Sequence, residues 1–173
     1  METKKAMSGV VSSVLMIAIT ISLVAVVWGV VNNLVLDKAD QGAACSDIFG
    51  KIEINGRFTC YNSTSNQLVF SIIRKDTELD SLKISIESKG NFKTLDIKEG
   101  ETINGLEMYA GSNPEIIKLP EKHGGYSYKY DLSEAGITES PDSISVAPVI
   151  KGQQCSEIDN TQGIESCSLF VFN

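Results

Sequence analysis

Few side chains in this sequence are of types that could do chemistry: four cysteines, a single histidine, one glycosylation sequon and one short run rich in oxygen ligands. Cys45, Cys60, Cys155 and Cys167 all follow a long apolar segment, and an even number of thiols beyond such a segment favours disulfides. Four cysteines allow three pairings. Cys45 with Cys60 and Cys155 with Cys167 is the expected one, because each pair brackets a short loop; the alternative joins the two ends of the domain. No pair has the spacing of zinc ligands, and the only imidazole, His123, sits in the turn-like Lys122-His123-Gly124-Gly125. As the sole imidazole available for general acid–base work, His123 therefore reads as an exposed turn residue. A nucleophile elbow, a phosphate-cradling loop and a dinucleotide fingerprint are all missing from the sequence. The run Asp159-Asn160-Thr161-Gln162-Gly163-Ile164-Glu165 has oxygen ligands at alternating positions, loosely suited to calcium. It misses the EF-hand pattern and reads as a polar loop between two cysteines. Asn62-Ser63-Thr64 is the only sequon, placed after a strand end and before a polar run, so Asn62 is expected to be exposed and open to glycosylation. No catalytic, cofactor-binding or metal-binding residue is assigned, and neither an enzyme nor a small-molecule substrate is expected.

The segments that carry these residues differ sharply in composition. Residues 6–36 contain no charged side chain and 22 of those 31 residues are hydrophobic, whereas residues 37–173 carry 21 acidic and 13 basic side chains. With a net charge of −7 on the whole chain, the polar part would repel a phosphate backbone, so nucleic acid is not an expected partner. The apolar run exceeds the roughly 20 residues a helix needs to cross a bilayer and the ~7–15 apolar residues of an ordinary secretory signal. It is apolar around its whole circumference, so lipid or other helices must surround it. Lys4 and Lys5 before it and Asp37 after it place the N-terminus inside and the remainder outside by the positive-inside rule. Ala18, Ser22, Ala25 and Gly29 follow one another at intervals of four, three and four, share one helix face, and would let another helix approach closely.

Lys4-Lys5-Ala6 followed by Met7-Ser8-Gly9-Val10-Val11-Ser12-Ser13-Val14-Leu15-Met16-Ile17-Ala18-Ile19-Thr20 resembles the N-terminus of archaeal type IV pilins. The resemblance covers about residues 4–31. It implies a leader of residues 1–6 that a prepilin peptidase removes by cutting between Ala6 and Met7, with Lys5 as the basic residue before the cut. Two positions depart from the wider pattern: Gly9 stands where many relatives have Pro, and Val11, the fifth residue after the cut, stands where bacterial pilins have Glu.

Beyond Asp37 the period changes from helical to alternating. Leu82, Ile84 and Ile86 alternate with polar residues, as do Tyr126, Tyr128, Tyr130 and Leu132, which is the pattern of half-buried strands. Further strands are expected at 51–54, 57–61, 67–74, 91–97, 115–119, 143–150 and 166–172, and a short helical turn at 132–136. Turn signals such as Asn55-Gly56, Asn104-Gly105 and Gly124-Gly125 separate them. The predicted fold class is α+β: a long hydrophobic helix at 7–40, then an antiparallel β-sandwich head at 41–173, Ig-like or pilin-like. The connection between them is brief, so the helix is expected to run nearly into the head.

The resemblance implies a structural subunit of an archaeal type IV pilus-like surface filament. Such a subunit would sit in the cytoplasmic membrane as a prepilin, N-terminus inside and head outside. It would then self-associate into a helical filament through the N-terminal helix, with the prepilin peptidase and the pilus assembly machinery as its other partners. The alternative is a permanently membrane-anchored extracellular β-sandwich that binds a surface layer or serves as a stator-like part of an archaellum.

Overall fold

The computed structural model describes residues 3–110, 113–156 and 158–167, and the chain divides into two units, Met1–Ala43 and Ala44–Asn173. The apolar run folds as one α-helix, α1, over Thr3–Asp47. The first proline of the chain is Pro114, so nothing removes a backbone donor along this length, and the helix outlasts the expected end near residue 40. It stops where Gly50 adopts φ +70° and Lys51 N–H donates back to the Ile48 carbonyl at 2.9 Å. The last turn, residues 44–47, belongs to the second unit, and Ile48 immediately after it is fully buried in that unit's core.

The second unit is an antiparallel β-sandwich, as its alternating pattern predicts. One sheet has the order β1 (Ile52–Ile54), β3 (Gln67–Arg74), β7 (Gly124–Asp131), β6 (Leu106–Met108), with β2 (Cys60–Asn62) also paired to β3. The other has the order β10 (Asp159–Gln162), β8 (Ser143–Ile150), β4 (Ser81–Ser88), β5 (Asn91–Lys98), with β9 (Gln153–Gln154) paired to the end of β8. Period two decides what meets in the middle. Leu68, Phe70 and Ile72 of β3 lie opposite Tyr130, Tyr128 and Tyr126 of β7 in one sheet, and Leu82, Ile84 and Ile86 of β4 lie beside Val146 and Ile144 of β8 in the other. All of these except the partly buried Tyr126 are buried in a single core, where Phe70 and Tyr128 stack with ring centroids 5.3 Å apart. The turn Leu132–Ala135 forms as expected, capped by Asp131 at its start and by Gly136 at φ 69° at its end.

Three expected strands differ. At 57–61 the chain first makes a 3₁₀ turn, Gly56–Phe58, because the Asn55 side chain accepts from Arg57 N–H and the Asn55 carbonyl accepts from Phe58 N–H; only then does β2 begin. At 115–119, between Pro114 and Pro120, there is no ladder. Ile117 is fully buried and exchanges backbone bonds with the 100–101 turn, while Leu119 N–H donates to the Glu99 carboxylate at 2.6 Å. Of 166–172, only the start is described: Ser166 makes a parallel bridge to Tyr61, and 168–172 lie outside the described residues. β9 and β10 lack an apolar alternation and β6 carries it over only three residues, Leu106, Glu107 and Met108; pairing with longer neighbours forms all three.

Candidate functional site

Within α1, Gly9–Val35 is a stretch of 27 residues with mean hydropathy 2.7, long and apolar enough to cross a membrane. None of it is buried within the chain, and large apolar side chains such as Met16, Trp28 and Val24 are about two-thirds exposed or more. Three of the six polar side chains inside the stretch spend their donors on their own helix. Ser13 donates to the Val10 carbonyl at 2.9 Å, Thr20 to Ile17 at 2.9 Å and Ser22 to Ala18 at 2.8 Å, so they can enter an apolar medium without an unpaired hydroxyl. Ala18, Ser22, Ala25 and Gly29 are all exposed, and a Cβ added at Gly29 would meet nothing within 4 Å, so this face is open. The backbone of Lys5, Ala6 and Met7 is part of α1.

The cysteines form two disulfides, but not the local pairs expected from their spacing. Cys45 joins Cys155, with Cα atoms 5.4 Å apart, and Cys60 joins Cys167, with Cα atoms 5.0 Å apart. The fold explains the correction. Cys45 lies in the last turn of α1, next to buried Ile48, and packs on the core against which Cys155 is held by its N–H bond to the Pro148 carbonyl. Cys60 opens β2, whose free edge receives residues 165–166 through the Tyr61 N–H bond to the Glu165 carbonyl at 2.8 Å, and that brings Cys167 alongside. In a sandwich the first and last segments become neighbours. Loop entropy does not oppose this, since the chain-entropy estimate of stabilisation rises from ~3 kcal/mol for a loop of about 15 residues to ~4.7 kcal/mol for about 100, and the loops here span 110 and 107 residues.

The remaining candidates lie apart. His123 is exposed at φ 60° in the turn before β7. The 159–165 run is not a free loop: its first four residues are β10, and the Asp159 carboxylate accepts from Ile54 N–H at 2.7 Å and from Asn160 N–H at 2.9 Å. It thereby clasps β10 to β1, the adjoining edges of the two sheets. The Asn62 side-chain Oδ1 accepts from Thr64 N–H at 3.0 Å and Ser65 N–H at 3.3 Å, closing the β2–β3 turn; Ser63 and Thr64 are exposed there, while Asn62, expected to be exposed, is half-buried because its side chain folds back onto the turn. Among the described residues no group of three or more His, Cys, Asp or Glu side chains could hold a metal ion. The sequence points to Asp159 only as part of the oxygen-rich run and does not single out Ile48, whose one available signal is an apolar residue just after a polar stretch.

An apolar helix of this length suggests membrane anchoring or a signal sequence, and two disulfides suggest an extracellular head. The chain matches no protein-family model, and no curated protein matches it. The likeness of its N-terminus to archaeal type IV pilins thus rests on residues 4–31 alone.

Proposed function

We propose that the chain is a structural subunit of an archaeal type IV pilus-like surface filament. It is inserted in the cytoplasmic membrane with its N-terminus inside, cut after Ala6, and assembled by packing its N-terminal helix among copies of itself while the disulfide-bonded sandwich is displayed outside. The observation that carries this reading is the Gly9–Val35 stretch, apolar on every side and unburied by its own chain, preceded by a short basic segment that ends in a small residue. Such a helix is unstable in water and needs lipid before assembly and like helices afterwards. A leader cut ahead of the apolar run leaves the helix on the mature protein, and filament packing is a use that accounts for its retention. The test is the N-terminal mass of protein sheared from the cell surface. A chain beginning at Met7 is expected; protein that keeps its first six residues and stays with the membrane would replace this reading with a permanently anchored binding module.

A further inference from the structure

We propose that the two disulfides make the head a tension relay: once the chain is drawn taut, a pull between the helix and anything attached beyond Cys167 is carried by a short covalent bypass that keeps most of the β-sandwich, β2 to β9, from being drawn out. The proposal rests on the helix being held by lipid or by like helices, as in the reading above, but its covalent basis is independent of that reading.

The connectivity carries the argument. Cys45–Cys155 and Cys60–Cys167 interlock, so that each bridge has one end inside the loop closed by the other. The chain between Cys45 and Cys167 therefore becomes two covalent nodes joined by three arms: 15 residues from Cys45 to Cys60, 95 from Cys60 to Cys155 and 12 from Cys155 to Cys167. Most of the sandwich, from β2 to β9, lies in the longest arm. A taut chain spans at most about 3.6 Å per residue, so the shortest arm stops extension between residues 45 and 167 at about 40 Å, whatever happens to the sheets. Without the bridges the same two points could separate by about 440 Å. The local pairing would not do this. With Cys45 joined to Cys60 and Cys155 to Cys167, the 95-residue arm would lie in series with the load and could release about 340 Å.

The interlocked pattern is also redundant. With only Cys60–Cys167 present, load passes along the 15 residues from Cys45 to Cys60 and crosses to Cys167, a limit of about 50 Å; with only Cys45–Cys155 present, the 12-residue arm remains. Each bridge alone suffices. The bypass enters the head at two places packed into the core: at partly buried Cys45, beside fully buried Ile48, and at fully buried Cys60, on a strand paired to central β3. A head secured in this way could lose its sheets under load and refold without having been drawn out.

Single-molecule pulling on the full chain in detergent micelles, with one handle before α1 and one beyond Cys167, tests the proposal. Unravelling of the helix adds the same length to every trace and cancels in the comparison. The oxidised protein, the Cys45→Ser/Cys155→Ser variant and the Cys60→Ser/Cys167→Ser variant are all expected to lack the long extension. The variant with all four cysteines changed to Ser, or the reduced protein, should gain about 400 Å of contour length. These limits are covalent and hold whether or not a variant folds. An extension near 340 Å in the oxidised protein, or a single-pair variant that extends as far as the four-Ser variant, overturns the proposal. Failure of the filament reading is distinguishable, because it would appear in the N-terminal mass and leave these lengths unchanged.

Discussion

Tyr128 shows how much one side chain on β7 does. It is fully buried, stacks on Phe70, and donates its hydroxyl proton to the Lys118 carbonyl at 2.7 Å, tying the irregular segment before β7 to the core. Burial pushes its phenol far above the ordinary tyrosine range, with the Glu99 carboxylate adding to the effect, and Tyr130 shifts in the same direction, chiefly by burial. The folded state therefore keeps a proton that the unfolded state releases above about pH 10, so stability is intact below that pH and falls as pH rises further. For Tyr128 the slope approaches about 1.4 kcal/mol per pH unit. Tyr128→Phe removes both the slope and the hydrogen bond. It is expected to cost about 1–2 kcal/mol at neutral pH by leaving the Lys118 carbonyl unpaired, and to flatten the alkaline decline. Urea unfolding of the full chain in detergent from pH 8 to 11.5 measures both; a variant as pH-sensitive as the parent would contradict the assignment.

For the elements, legibility followed periodicity. Residues 67–74, 143–150 and the helical turn at 132–135 are legible because hydrophobic alternation or capping signals coincide with their ends. The cysteine pairing was not, because spacing says nothing about which segments the sandwich makes adjacent, and β10 was not, because Asp159 pairs by carboxylate and ladder without an apolar face. The open face of α1 is legible as a pattern, and its use is a matter for mutation. Ala25→Leu or Gly29→Leu leaves the stretch apolar, so membrane insertion should be unchanged, while the added bulk holds a neighbouring backbone away. The expected outcome is a several-fold loss of sheared filament at normal membrane levels of subunit, measured by immunoblot of the two fractions. Normal filament yield from both variants would move the contact to another face.

At the scale of the whole molecule, the filament reading has to account for an apolar stretch of 27 residues that precedes a disulfide-bonded sandwich. A secretory peptidase cuts after the apolar core and discards it, so a head destined only for secretion would lose the helix. An anchor that merely spans needs roughly 20 residues, and α1 is continuous for 45. A helix of 45 residues runs ~68 Å at ~1.5 Å per residue, about twice the ~30 Å hydrocarbon core, which leaves room for packing outside lipid. On the filament reading proposed above, the cut falls ahead of the apolar stretch, where Lys4 and Lys5 precede the small side chain of Ala6. Ala6→Leu places a branched side chain at the position the peptidase must accommodate while leaving charge and apolarity of the helix unchanged. The variant is expected to accumulate in the membrane as a precursor heavier by residues 1–6, and surface filaments should fall to background. Mass spectrometry of the membrane fraction and electron microscopy of sheared material measure the two effects separately. Filaments built from uncut Ala6→Leu protein would show that assembly does not depend on this cleavage and would remove the strongest reason for reading the N-terminus as a pilin leader.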